Sequence, residues 1–104
     1  MPNLTKERPY MEKAVEMIAN GEERVLFDMM TYPLTVRLWI EEISGKASLR
    51  LGIHQVDSDR LRSYFLVTGD REEIDRYLRQ SSIVDTLMKH LENLTLRWIQ
   101  SDDD

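Results

Sequence analysis

"LTVRLWIEEISGKASLRLGIHQV", residues 34–56, decides the fold. Leu34, Val36, Leu38 and Ile40 alternate with Thr35, Arg37, Trp39 and Glu41. After Ser44-Gly45, Ala47, Leu49, Leu51 and Ile53 alternate with Ser48, Arg50, Gly52 and His54. A period of two marks strands, because successive side chains point to opposite faces of a sheet. Folding the chain about Ser44-Gly45 predicts Ile40 opposite Leu49, Leu38 opposite Leu51 and Val36 opposite Ile53. Both apolar sets then share one face, as a hairpin requires, since a slip of one residue would expose them all.

Working outward, Met11, Ala14, Val15 and Ile18 recur at helical spacing and predict a helix from about Lys6 to Asn20. Thr5 reads as its N-cap, Pro9 is tolerable near the first turn, and Gly21 suits the position just past its end. "EERVLFDMM", residues 22–30, fits two patterns. Val25, Phe27 and Met29 alternate like a strand, whereas Val25, Leu26, Met29 and Met30 make a helical stripe. The strand is preferred.

On the other side, "VDSDR" reads as a polar turn and "SYFLV", residues 63–67, as a strand apolar on both faces, hence central or covered twice. Helices are predicted from Asp70 to about Gln80 and from about Ile83 to Glu92. A single long helix would bring Ser81 and Asp85 onto the buried side, so the break falls near Ser81-Ser82, with Ser82 and Asp85 capping the second helix. Leu94, Leu96 and Trp98 alternate and predict a closing strand. The expected fold is therefore α+β. It is a single domain over residues 1–104, mainly an antiparallel sheet of four or five strands. An N-terminal helix and a late helix pair pack on one face, and residues 1–4 and 101–104 read as frayed ends.

Composition narrows the chemistry. The 104-residue chain is 41% apolar and 32% charged, as expected of a soluble globular domain. It has no cysteine, which excludes disulfides, thiolate catalysis and cysteine-ligated metals. The N-terminus lacks the apolar core of a signal peptide, so a cytoplasmic location is the expectation, with no membrane partner. The charge of -5 is uneven: residues 34–68 carry 5 basic and 4 acidic side chains, residues 69–104 carry 5 and 9. That balance makes nucleic acid an unlikely partner overall, while leaving room for a basic patch in the middle third.

"TGD", residues 68–70, raises the question of a phosphate cradle. One glycine is far short of a phosphate loop, and Asp70 with Glu73 forms an Asp-x-x-Glu capping box that would occupy the amides an anion needs. The stretch reads as a joint between strand and helix. His90, beside Lys89 near a helix end, is explained by the helix dipole. His54 has no His or Cys partner at ligand spacing. Asp57-Ser58-Asp59 begins like a calcium loop but lacks its glycine and distal glutamate. No serine sits in a nucleophile elbow. Met11, Met29 and Met88 fit apolar faces and read as core. No catalytic residue, cofactor or metal is indicated, and the balance leans away from an enzyme without deciding it.

One constellation remains. With the apolar face of the hairpin packed under helices, the opposite face presents Arg37, Trp39, Arg50 and His54, with Trp39 across from Arg50. This can be a cation–π pair stabilising a solvated sheet by about 0.5–1 kcal/mol, or Trp39 can be covered by another part of the chain. It can also be an interaction face, because Trp and Arg are enriched at binding hot spots. The leading expectation is a non-enzymatic interaction or regulatory domain that uses this face. Its partner would be another protein or a second copy in a homodimer. Trp39 and Arg50 would anchor it, and Trp39→Ala would then weaken association with little loss of folding. The alternative is a small-ligand-binding domain or small enzyme with a pocket between sheet and helices, lined by Tyr64, Tyr77 and Trp98. A third reading, an acidic inhibitor or immunity-type protein that plugs a basic partner, rests on the acidic C-terminal third.

Overall fold

The alternation in residues 34–56 becomes two ten-residue strands in a computed structural model, β2 (Leu34–Ile43) and β3 (Lys46–Gln55). The structure describes residues 2–58 and 60–101. The expected pairs are the observed ones: Ile40 opposite Leu49, Leu38 opposite Leu51, Val36 opposite Ile53, and on the other face Trp39 opposite Arg50 and Thr35 opposite His54. Ser44 and Gly45 close the hairpin at φ +54° and +79°. Two positive φ values in a two-residue turn are the mirror-image geometry that follows the twist of the flanking strands, and glycine adopts it without a Cβ penalty.

β1 (Arg24–Asp28) pairs antiparallel with β2, which settles the ambiguous 22–30 stretch as a strand. β4 (Arg62–Gly69) pairs with β3, so the four described strands lie in chain order as an antiparallel meander. β4 is an edge strand, not a central one. Its register shifts between Leu49 and Arg50, where Leu49 faces Val67 and Arg50 faces Phe65. Leu66 is the extra residue of that bulge. The bulge explains the run of apolar side chains: Tyr64 and Val67 turn to the core side, while Phe65 points away and is 60% exposed.

The helices are α1 (Arg8–Ala19), entered through a 3-10 turn at Thr5–Glu7, α2 (Arg71–Leu78) and α3 (Ile83–Ser101). They cover one face of the sheet. Met11, Ala14, Val15 and Ile18 of α1 and Ile74 and Leu78 of α2 join Leu87, Leu91 and Leu94 of α3. They pack on Val36, Leu38, Leu49, Leu51 and Ile53 in one core. α1 ends as a Schellman cap: Gly21 N–H donates to Ile18 O at 3.1 Å and Glu22 N–H to Met17 O at 3.0 Å, with Gly21 at φ +109°. At the other end Thr5 is not the cap. It lies inside the 3-10 turn, where its N–H and hydroxyl both donate to Asn3 Oδ1. Leu4, placed in an expected frayed end, is buried in the core.

The joint at residues 68–70 is closed to anions. Asp70 Oδ1 accepts the Glu73 N–H at 2.9 Å, and the Glu73 carboxylate fills the space where Gly69 lacks a Cβ. The break between the late helices falls where expected, with Ser82 O accepting the first helical N–H, from Thr86, at 3.0 Å.

The closing strand does not exist. Leu94, Leu96 and Trp98 belong to α3, which continues to Ser101. Leu87, Leu91, Leu94 and Trp98 are spaced 4, 3 and 4 apart, a helical stripe that the alternation of the last three disguises. Thr95, fully buried, satisfies its hydroxyl by donating to Leu91 O at 2.8 Å. His90 consequently lies mid-helix rather than at a helix end, and its ring meets Tyr64 at 5.2 Å. Asp59 of the calcium-like Asp57-Ser58-Asp59 stretch, and Asp102–Asp104, lie outside the described residues. No helix among the described residues is long and apolar enough to cross a membrane.

Candidate functional site

Because all three helices lie on one side, the other face of the sheet is built from strand residues alone. On β2 and β3 these are the polar partners of the alternation. The register adds Arg24, Leu26 and Asp28 from β1, and Ser63 and Phe65 from β4. Arg37, Trp39, Arg50 and His54 therefore share one surface, as their parity implies.

At the centre is a stack. The Arg50 guanidinium carbon lies 4.8 Å from the Trp39 ring centroid and 4.4 Å from that of Phe65, so the cation is held between two aromatic faces. Arg37 covers Trp39 a second time at 5.2 Å. Arg50 is oriented by two further bonds, Nη1 to Glu41 Oε2 at 3.1 Å and Nη2 to the Ser63 hydroxyl. The Nε atoms of Arg37 and Arg50 are buried with no hydrogen-bond acceptor among the described residues. The ring faces supply the compensation, since a partly desolvated guanidinium gains roughly 1–2 kcal/mol against an indole.

This stack changes the role of Trp39. The ring is only 7% exposed, although no helix covers it. Its neighbours on the sheet do so, which makes it a scaffold for two arginines rather than a free anchor. The apolar surface left open on this face is Phe65, 60% exposed, Leu26, 44% exposed, and, opposite Lys46 at the hairpin end, Ile43, 52% exposed. None was singled out from sequence. Leu26 could have been found, because it faces Arg37 once 22–30 is read as a strand. His54 stands at the far end, its Nδ1–H donating to Gln55 O at 2.9 Å.

Gly52 lies between Arg37 and Ser63 and lets β3 and β4 approach closely. A Cβ there would fall 2.9 Å from Arg62 O and 3.0 Å from Ser63 Cβ. Backbone cannot yield as a side chain does. Gly52→Ala is expected to cost about 1–3 kcal/mol in a denaturant melt and to loosen the stack.

Tyr64, Tyr77 and Trp98 do not converge on one pocket wall. Tyr64 packs on His90 and under Arg97, whose guanidinium carbon is 5.5 Å from the ring centroid. Trp98 meets the edge of Tyr32 at 6.1 Å. Tyr77 is half-buried on α2, where burial raises its phenol above the ordinary pKa. The cleft that Trp98 lines, of about 100 Å³, is bordered by β3, the β3–β4 connection and the end of α3, and not by Tyr64 or Tyr77.

Comparisons with protein-family models, curated proteins and solved structures yield no significant match. The site must be read from its own geometry.

Proposed function

We propose that this chain is a non-catalytic protein-interaction domain whose binding surface is the uncovered face of the sheet. The observation that carries this reading is the Trp39–Arg50–Phe65 stack. It spends two arginines and a tryptophan on rigidifying a surface that no helix covers, with Phe65 and Leu26 left open beside it. Rigid aromatic and arginine side chains bind at low entropic cost, which is why they dominate interface hot spots.

Charge selects the partner. Strand positions on this face carry four cations, Arg24, Arg37, Lys46 and Arg50, against two carboxylates, Asp28 and Glu41. The chain as a whole carries -5, so this face is the basic exception. A second copy would bring like charges together, whereas an acidic segment with one or two apolar side chains matches the surface. This ranks an acidic protein partner above a homodimer and above the small-molecule alternative.

The test is a display selection of short random peptides on the intact domain, followed by binding of the winners to a Leu26→Ser/Phe65→Ser double variant. Acidic, apolar-containing peptides are expected, with affinity lost by about tenfold or more in the variant and weakened by salt. Both side chains are substantially exposed, so the variant should fold, with a loss of about 1–2 kcal/mol because Phe65 no longer covers Arg50. Peptides that bind wild type and variant equally would remove the reading. A stable dimer in native mass spectrometry, dispersed by the same substitutions, would transfer the face to a second copy.

A further inference from the structure

We infer that the cleft between β3, the β3–β4 connection and the C-terminal end of α3 is a binding site for a small oxyanion, a phosphate group by preference. This does not rest on the interaction reading, because of the residues placed on that face only His54 borders the cleft. Its walls carry His54, Ser58, Arg60, Arg62, Trp98 and Ser101. Its volume of about 100 Å³ is several times the ~10–15 Å³ that a single water requires, enough for one tetrahedral group.

Three of the ten arginines meet a carboxylate within 4 Å among the described residues. Arg8, Arg50 and Arg71 each meet a carboxylate within 4 Å, at Asp85 and Glu12, Glu41, and Asp75 respectively. Arg60 and Arg62 meet none among the described residues. Arg62 is nevertheless held in place. Its Nη2 donates to Ser101 Oγ at 2.5 Å, and Ser101 Oγ donates in turn to Trp98 O at 3.2 Å. A guanidinium has five N–H donors, so one bond fixes its direction and leaves the rest of the fork for a ligand. Arg60 N–H is bonded to Ser58 Oγ at 3.1 Å, which ties the second arginine to the same wall. Trp98, half-buried, limits water on the other side. Two arginines with no carboxylate partner among the described residues, and the Ser58 hydroxyl, around a phosphate-sized space match a doubly charged oxyanion better than a monocarboxylate.

The experiment is titration of the full chain with inorganic phosphate at constant ionic strength, followed by NMR of the arginine Nε–Hε and tryptophan indole signals, with chloride as control and acetate as the carboxylate arm. Saturable shifts at Arg62, Arg60 and Trp98 are expected with phosphate, and weaker ones with acetate. Arg62→Gln should reduce phosphate affinity about tenfold or more. Arg60→Gln, at an exposed position, keeps the test valid if Arg62→Gln fails to fold, and should reduce affinity severalfold. Leu26→Ser/Phe65→Ser should leave phosphate binding unchanged, so failure here and failure of the interaction reading are separate results. Shifts that grow linearly and equally with phosphate and chloride, or that survive both arginine substitutions, would overturn the assignment. Acetate binding tighter than phosphate would reassign the cleft to a carboxylate ligand.

Discussion

Trp39→Ala is expected to destabilise the domain by about 2–4 kcal/mol, although Trp39 lies on the sheet face that carries no helix. The ring is 7% exposed, and two guanidinium groups rest on it at 5.2 and 4.8 Å. Removing it deletes a large apolar surface and leaves Arg37 and Arg50 over a void, with Nε atoms that already lack acceptors. For a domain of this size that corresponds to a fall in Tm of roughly 10–25 °C. Trp39→Phe, which keeps a ring under both cations, should recover more than half of the loss. If Trp39→Ala melts within about 1 kcal/mol of wild type, the stack is ornamental and the scaffold argument fails. The consequence for binding is direct: association must be probed at Phe65 and Leu26, because a Trp39 variant confounds binding with folding.

Glu7→Ala is the second large effect, expected at about 2–4 kcal/mol. Glu7 is a fully buried carboxylate at the entrance to α1. Its Oε2 accepts the Met30 N–H at 3.0 Å and its Oε1 accepts the Thr31 hydroxyl at 3.2 Å. It thus fastens the β1–β2 connection to the first helix and holds Met29 in the core. Alanine would strand a backbone donor in a water-poor site and open a cavity beside it. Glu7→Gln retains one acceptor oxygen and most of the volume, so it should cost about half as much or less. Urea melts of both variants, with hydrogen exchange at the Met30 amide, check this. Equal losses for Ala and Gln would mean that charge, not hydrogen bonding, holds the connection.

What the sequence revealed and hid follows from the range of the interactions involved. The hairpin register was legible because a period of two and a two-residue turn leave one pairing that buries both apolar sets. The Trp39–Arg50 pair came with it. The C-terminal helix was not legible in the same way. Leu94, Leu96 and Trp98 satisfy a strand pattern, and Leu87, Leu91, Leu94 and Trp98 a helical one. The missing discriminator was a breaker: nothing between Glu92 and Leu94 is Gly or Pro, so a helix already under way had no reason to stop. Phe65 was hidden by the bulge at Leu66, which turns an alternating strand into a continuous apolar run. Glu7 was hidden by distance, its partners lying 23 and 24 residues away. The burial of Trp39 was equally silent, since it depends on two arginines lying flat, a matter of rotamers rather than of sequence spacing.

The central claim, that the uncovered sheet face is where this domain meets an acidic partner, is tested most directly by mapping a footprint. The measurement is backbone and side-chain NMR of the labelled domain titrated with the strongest acidic peptide from the display selection. The account predicts saturable shifts confined to outward positions of the four strands, centred on Leu26, Arg37, Arg50 and Phe65, with α1 and α3 undisturbed. A footprint on the helices would contradict it, as would a selection that yields no peptide sensitive to Leu26→Ser/Phe65→Ser.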